Sequence, residues 1–409
     1  MKRSWSILLI LMAMAIIGLT RCDNRTPVGE VDATDWTKYI KLPAPDFTPD
    51  EQLEIVTWER NIPQEVYDLF TQTYGTKIVP TILHSNEEMY ELLQKNPDKY
   101  DLLTPSDYMV TRMIKDGLLH RLDKANLPNM ENLEEDLRRM QYDRGLLFSV
   151  PLFRTSLGIA FNINYVGGIP REAKYILDQL GNDYITYRAG ITKEMRFAMG
   201  ISLMLLGYSP NTTNPAEITA ARDLLIGFVE NNGFALMGDE GEESLVGNDI
   251  LLGVVWNGTA ASALRRNMNI RFLLPEGGIL VAIDSAVISA RSRRTRTAEL
   301  FANYMLVPHV MARMTNHNHS RNSISSSLNF VDRIIRNGPG FLFPEEEDRL
   351  FLKDLGENIR LYEDAWALVL QAKPSENLVK LPLPKGGFFR GDTQTTDFSK
   401  QFGKDLQTQ

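Results

Sequence analysis

From Gln52 onward the chain alternates short apolar runs with amphipathic ones, and that alternation limits the folds open to it. Leu53 to Trp58 reads as a strand. Pro63 to Tyr74 reads as a helix with Val66, Leu69, Phe70 and Tyr74 on one face, closed by Gly75. Lys77 to Leu83 is a second strand. Ser85 and Glu88 form a capping box ahead of a helix carrying Met89, Leu92 and Leu93 at helical spacing. Tyr100 to Leu103 is a third strand, followed by Pro105 and a helix opening at Ser106. Such an α/β order with short connections predicts a parallel sheet covered on both faces, with ligands at the carboxyl ends of its strands. Trp58-Glu59 and Ser106-Asp107-Tyr108 fall at two of those ends.

The rest of the chain changes rhythm but stays α/β. Leu157 to Asn164 is strand-like, Thr192 to Leu206 helical, and Pro215 to Asn231 helical with Ile218, Ala221, Leu224 and Leu225 aligned. Ile250 to Trp256 and Ile270 to Leu274 read as strands, and the segment Ala286 to Ala290 leads to a helix from Thr295 to Leu306 that returns to the first half. A last helix lies near Asn358 to Ala372. The acidic stretch Asp239 to Glu243 reads as a solvated loop, and the basic run Arg291 to Arg296 as the solvated start of a helix.

The first residues carry an export pattern. Lys2 and Arg3 precede an almost wholly apolar run from Ile7 to Leu19, short for a membrane span and followed at once by polar chain. Cys22 is the single cysteine of the 409 residues and stands directly after this run. An exported chain with one thiol has no internal disulfide, so burial alone must hold the fold. The thiol's natural use is a lipid anchor after cleavage before Cys22. Arg21 stands where a small residue usually precedes such a cysteine, so a cleaved soluble periplasmic protein and an uncleaved anchor are the alternatives. Residues 22–50, rich in Asp, Pro and Thr, read as a tether spanning on the order of 30 Å, and residues 391–409 as a loose tail.

Charge and motifs exclude several functions. Asp and Glu total 52 against 44 Lys and Arg, and three of those cations (Lys2, Arg3, Arg21) lie in the leader. This acidity speaks against nucleic acid and permits a cationic solute. The chain has no G-x-S-x-G, P-loop or G-x-G-x-x-G motif, so neither an enzyme nor a cofactor is expected. His317 and His319 are the only neighbouring histidines, too few for a metal site, and none is expected.

Aromatics and carboxylates recur at the strand ends. Trp58, Tyr108 and Trp256 each follow a strand, and Glu59, Asp107, Glu194 and Asp284 lie at comparable turns. An alkylammonium ligand needs both: carboxylates take the ammonium, and aromatic faces hold the cation and its methylenes. Each tryptophan taken singly reads equally well as core, each acid as surface, and Ser106 as a helix cap.

Longer stretches then become recognisable. Leu53-Glu54-Ile55-Val56-Thr57-Trp58, His84-Ser85-Asn86-Glu87-Glu88-Met89-Tyr90 and Tyr100-Asp101-Leu102-Leu103-Thr104-Pro105-Ser106-Asp107-Tyr108 resemble the polyamine (spermidine/putrescine)-binding proteins of bacterial ABC importers. The likeness continues through Leu206-Gly207-Tyr208-Ser209-Pro210-Asn211, Trp256-Asn257-Gly258-Thr259-Ala260, Pro275-Glu276-Gly277-Gly278-Ile279 and Asp284-Ser285. The resemblance implies a two-lobed, hinge-linked periplasmic-binding-protein fold with its ligand in the cleft. Residues 51–157 with about 285–330 then form one lobe, and 158–284 with about 331–390 the other, after a signal peptide over 1–21.

What the resemblance implies for function is a monomeric, extracytoplasmic solute-binding protein, tethered to the membrane through Cys22, that delivers a polyamine to an importer's permease and ATPase. Its ligand-binding residues would be Trp58, Glu59, Ser106, Tyr108, Glu194, Trp256 and Asp284. Departures from the family pattern are Glu59 for a small hydroxyl residue, Arg60 for an acid, Phe197 for a glutamate and Ala282 for a tryptophan. Arg60 has the charge to neutralise Glu59. The competing readings are a binding protein for another cationic or organic solute, and a surface interaction lipoprotein without a transport role.

Overall fold

A computed structural model describes residues 42–166, 176, 183–238, 240–384 and 387. The leader, Cys22, the first part of the expected tether and the tail over 391–409 lie outside them. Among the described residues no helix is long and apolar enough to cross a membrane.

The opening alternation forms as its sequence dictates: β1 (Gln52–Trp58), α1 (Gln64–Tyr74), β2 (Lys77–Leu83), α2 (Asn86–Lys95), β3 (Leu102–Leu103) and α3 (Asp107–Lys115). Pro63 stands immediately before α1, and Gly75 ends it in the left-handed region at φ 76°, its N–H donating to the Thr71 carbonyl. Ser85 caps α2 by accepting the Glu88 N–H, while the Glu88 carboxylate accepts the His84 N–H. The reciprocal bond of the capping box therefore reaches one residue further back than expected.

The second half repeats the pattern. After the long β4 (Ser149–Asn162) come β5 (Ala189–Thr192), α4 (Met195–Leu205), α5 (Pro215–Asn232), β6 (Ala235–Met237), α6 (Gly241–Val246), β7 (Leu252–Trp256) and α7 (Asn257–Arg266). The chain continues through β8 (Ile270–Leu273), β9 (Ile279–Ile288), α8 (Thr295–Met305), α9 (Pro308–Asn318), β10 (Arg321–Asn322), α10 (Arg333–Arg336), β11 (Arg349–Phe351) and α11 (Ile359–Val369). The strand order is β2-β1-β3-β9-β4-β7-β5-β6. Each end is a parallel trio with its first strand in the middle, and β5, β6 and β7 take the parts of β1, β2 and β3.

The centre corrects the expectation of a parallel sheet. β9 is antiparallel to both β3 and β4, and β4 is antiparallel to β7. β4 serves both halves: Ser149–Ser156 pair with β9, and Leu157–Phe161 pair with β7. The sheet is therefore mixed, and two long strands cross between its trios.

Burial holds this arrangement. Leu53, Ile55 and Val56 of β1 are fully buried, as suits a strand covered on both faces. Helix α8 does return to the first half, where Phe301 meets Phe70 of α1 edge-on at 4.9 Å and the Tyr304 hydroxyl donates to the Val66 carbonyl at 3.0 Å. Each such side chain removed from water contributes roughly 1.5–3 kcal/mol. The end of the expected tether is also packed. The Tyr74 hydroxyl donates to the Pro43 carbonyl, Arg296 pairs with Asp46, and Thr297 donates to Asp50.

Candidate functional site

Because both trios are parallel and share one order, the carboxyl ends of β1, β3, β5 and β7 open on the same crevice. A cavity of about 800 Å³ lies there, lined from the first half by Trp58, Glu59 and Ser106, and from the second by Glu194 and Trp256. Asp284, on the crossing strand β9, lies on its wall. Six of the seven expected ligand-binding residues thus meet around one space.

The deepest part is built by hydrogen bonds. Ser106 occupies the N-cap position of α3, yet its hydroxyl caps nothing there. It donates instead to Asp284 Oδ1 at 2.9 Å and accepts from Asn86 Nδ2 at 3.2 Å, while Asn86 Oδ1 accepts the Ser106 N–H at 2.8 Å. Asn86 therefore fixes the serine, and the serine fixes the aspartate. Burial pushes the Asp284 carboxyl up to about 7, against the lowering effect of the Ser106 bond. Asp107, immediately after Ser106, is also pushed up to about 7 by burial, with the neighbouring Asp284 charge adding to the rise and backbone bonds opposing it. Its Oδ1 accepts the Ile283 N–H, so it braces β9 and lies behind the cavity wall. A buried carboxylate held in this way gains strongly from a cation brought to it.

Aromatic walls flank the acids. Trp256 donates its indole N–H to Glu194 Oε1 at 2.5 Å, which orients ring and carboxylate together. Trp58 projects from the end of β1, and its buried Nε1 has no hydrogen-bond partner. Nine carboxylates line the cavity against two cations, Arg60 and Lys193. Such a surface draws positive charge and repels anions.

Tyr108 departs from the expectation. It is 4% exposed and does not line the cavity; the buried Phe197 ring packs edge-on against both Tyr108 and Trp256. Its hydroxyl donates to Glu87 Oε1 at 3.0 Å, and it is Glu87 that faces the space. Burial raises the Glu87 carboxyl above its ordinary value, with the Tyr108 bond and the Arg196 charge pulling the other way. In the sequence Glu87 carries no role of its own beyond its place in the stretch His84 to Tyr90. The signal that finds it is the one that found Ser106: it opens a helix just after a strand's carboxyl end.

Other residues were missed for similar reasons. The segment read as a solvated acidic loop runs into the first turn of α6, and Glu242 there is 5% exposed and paired with Arg60 and Arg266. Arg60, at φ 60°, also donates from Nη2 to Ser262 Oγ at 3.1 Å, so it ties the end of β1 to α6 and α7. Glu363 and Trp366 reach the cavity from α11, and Asn318 and Ser320 flank it around His319. Among the described residues no three histidine, cysteine or acidic groups converge as a metal site.

A mixed α/β protein with an acid-lined crevice at facing strand ends belongs to the class that holds small solutes between two halves of a sheet. The family model of bacterial extracellular solute-binding proteins matches residues 65–329, and the chain belongs to that family, whose members bind solutes and do not transform them. It is 28% identical over 300 residues to the spermidine/putrescine-binding periplasmic protein 1 of Haemophilus influenzae, covering 73% of this chain and 79% of that one. The structure of a putative spermidine/putrescine ABC transporter from Listeria monocytogenes aligns with a TM-score of 0.70 at 24% identity, over 78% of this chain and 99% of that one. The TpPotD lipoprotein of Treponema pallidum aligns with a TM-score of 0.68 at 25% identity, over 78% and 99%.

Proposed function

We propose that this protein captures a polyamine of the spermidine/putrescine type outside the cytoplasm and hands it to the permease of an ABC importer. The observation that carries the reading is Asp284, a buried carboxylate held by Ser106 on the wall of a cavity that Trp58 and Trp256 flank. Asp284, Glu194, Glu59 and Glu87 take ammonium groups, and the two indoles take the methylenes between them. Each cation–aromatic contact contributes roughly 0.5–2 kcal/mol. The names of the Haemophilus and Listeria proteins support the same ligand class.

In this reading residues 51–157 with about 285–330 form one lobe and 158–284 with about 331–390 the other, and they close on the ligand by a hinge motion. The protein works as a monomer, anchored through an acylated Cys22 that follows the leader. Mass spectrometry of the mature N-terminus tests that anchor, and an unmodified Cys22 removes it. Isothermal calorimetry against putrescine, spermidine and a panel of amino acids tests the ligand. Saturable heat with an amine and none with the amino acids is expected, and no heat with any amine overturns the reading.

A further inference from the structure

We infer that Glu363 and Trp366, both on α11, form an outer subsite of the cavity that holds the far ammonium of an amine longer than a diamine. This rests on the polyamine reading of the same cavity.

The acids that α2 and α11 bring to the cavity differ in what they already hold. Glu87, Glu88 and Glu91 line it from α2, and Glu363 lines it from α11. The Glu88 carboxylate is engaged at the start of its helix, where it accepts the His84 N–H. Glu91 is paired with Lys95 at 2.8 Å. Glu87 gives one oxygen to the Tyr108 hydroxyl. Glu363 has no hydrogen bond or ion pair among the described residues, although it stands on the cavity wall.

Trp366 follows three residues later and shares a helix face with Glu363, and both line the cavity. It is 8% exposed, and its indole N–H has no hydrogen-bond partner among the described residues. An uncommitted carboxylate beside a buried indole at the wall of a cavity suits an ammonium and the methylenes behind it.

Packing sets this pair across from the inner acids. Helix α11 packs on α4 and α5, whereas α2 packs on α3. Arg196 is 1% exposed and lies over both Tyr108 and Tyr362, 5.4 Å and 4.8 Å from their ring centroids. Tyr108 holds Glu87, and Tyr362 directly precedes Glu363, so one buried guanidinium links the supports of the two acids. Burial raises the Glu87 carboxyl; Tyr108 and Arg196 oppose the rise, and the Glu363 charge adds to it. Glu87 in turn follows Asn86, which holds Ser106 against Asp284. The acids therefore form a path from Asp284 through Glu87 to Glu363, along which a triamine places its additional ammonium at the outer end.

Calorimetry with putrescine and spermidine on wild type, Glu363→Gln and Trp366→Leu tests this. Glu363→Gln should lower the spermidine-to-putrescine affinity ratio about three- to fivefold, the size of an exposed ion pair. Trp366→Leu keeps an apolar side chain and removes the aromatic face, so the ratio should fall about three- to thirtyfold. Glu91→Gln, which removes an acid already paired with Lys95, should leave the ratio unchanged. A ratio within about twofold of wild type in either folded variant overturns the inference, and so does an equal fall in Glu91→Gln, which would mean that surface charge alone is read. If Trp366→Leu does not fold, the exposed Glu363→Gln decides by itself. Absence of amine binding by the wild type sinks the polyamine reading, a separate outcome.

Discussion

The Ser106 hydroxyl donates to Asp284 Oδ1 at 2.9 Å and joins the start of α3 to the middle of β9, 178 residues further along the chain. This bond makes a helix-capping position into a binding position. It also opposes the effect of burial, which nevertheless prevails and pushes the Asp284 carboxyl up to about 7. Asp284→Asn keeps a group able to accept from Ser106 and removes the negative charge. Hydrogen bonds to charged groups contribute about 1.5–3 kcal/mol, so amine affinity should fall about ten- to a hundredfold by calorimetry. The apo-protein, relieved of a buried carboxylate, should melt higher at pH 8 than wild type. Unchanged affinity would take Asp284 out of the site.

The two raised aspartates give the protein a directional pH response. Asp107 and Asp284 lie at about 7 when folded, above their ordinary value of 3.8. Between these values the folded chain binds more protons than the unfolded one. Their contribution to stability is therefore complete below about pH 4 and lost as pH rises through about 7. Urea denaturation of the apo-protein across this range should show that loss, and Asp107→Asn should flatten it. An ammonium ligand favours ionised Asp284, so affinity should climb as pH rises from 6 to 8. A flat affinity profile would contradict the assignment.

Much of this site was legible because carboxyl ends of strands are readable from short motifs. Trp58, Ser106 and Trp256 each sit where a strand-like run gives way to a helix, whereas the strand before Glu194 was not read: the helix expected from Thr192 starts only at Met195, after β5 ends at Thr192. What was hidden is the antiparallel centre. The first half of β4 was not read as strand because it holds Pro151 and Arg154. Pro151 is accommodated where the register with β9 shifts between Pro151 and Phe153, and a strand tolerates proline at such an irregularity. Arg154 is 2% exposed and is paired with Glu134 and Asp136, about 20 residues earlier. No local pattern announces such pairing. Glu363 and Trp366 escaped for a topological reason: their helix reaches the cavity from the far end of the chain.

Arg60 ties opposite sides of the crevice together through Glu242 and Ser262. Arg60→Ala should leave the fold intact and weaken the closed state. The Arg60 side chain is 44% exposed, and exposed ion pairs contribute up to about 1 kcal/mol, so affinity should fall no more than about fivefold. Small-angle scattering should show a larger radius for the ligand-free variant than for ligand-free wild type. An identical radius would mean that this contact does not bias closure.

Tyr108 and Glu87 separate two ways in which an aromatic residue can serve a binding site. If the phenol ring itself contacts ligand, Tyr108→Phe keeps the ring and leaves affinity unchanged. In this structure the ring is buried away from the cavity, and the hydroxyl supports Glu87. Tyr108→Phe then removes a donor from a desolvated carboxyl whose acidity that donor helps to maintain. Glu87 should protonate at a still higher pH, so the variant should lose affinity more steeply than wild type as pH falls. The loss of one neutral hydrogen bond amounts to about 0.5–1.5 kcal/mol, or about two- to tenfold in affinity. Glu87→Gln on its own should weaken binding, and adding Tyr108→Phe to it should weaken binding little further. Additive losses in the double variant would show that Tyr108 acts on the ligand by a route independent of Glu87.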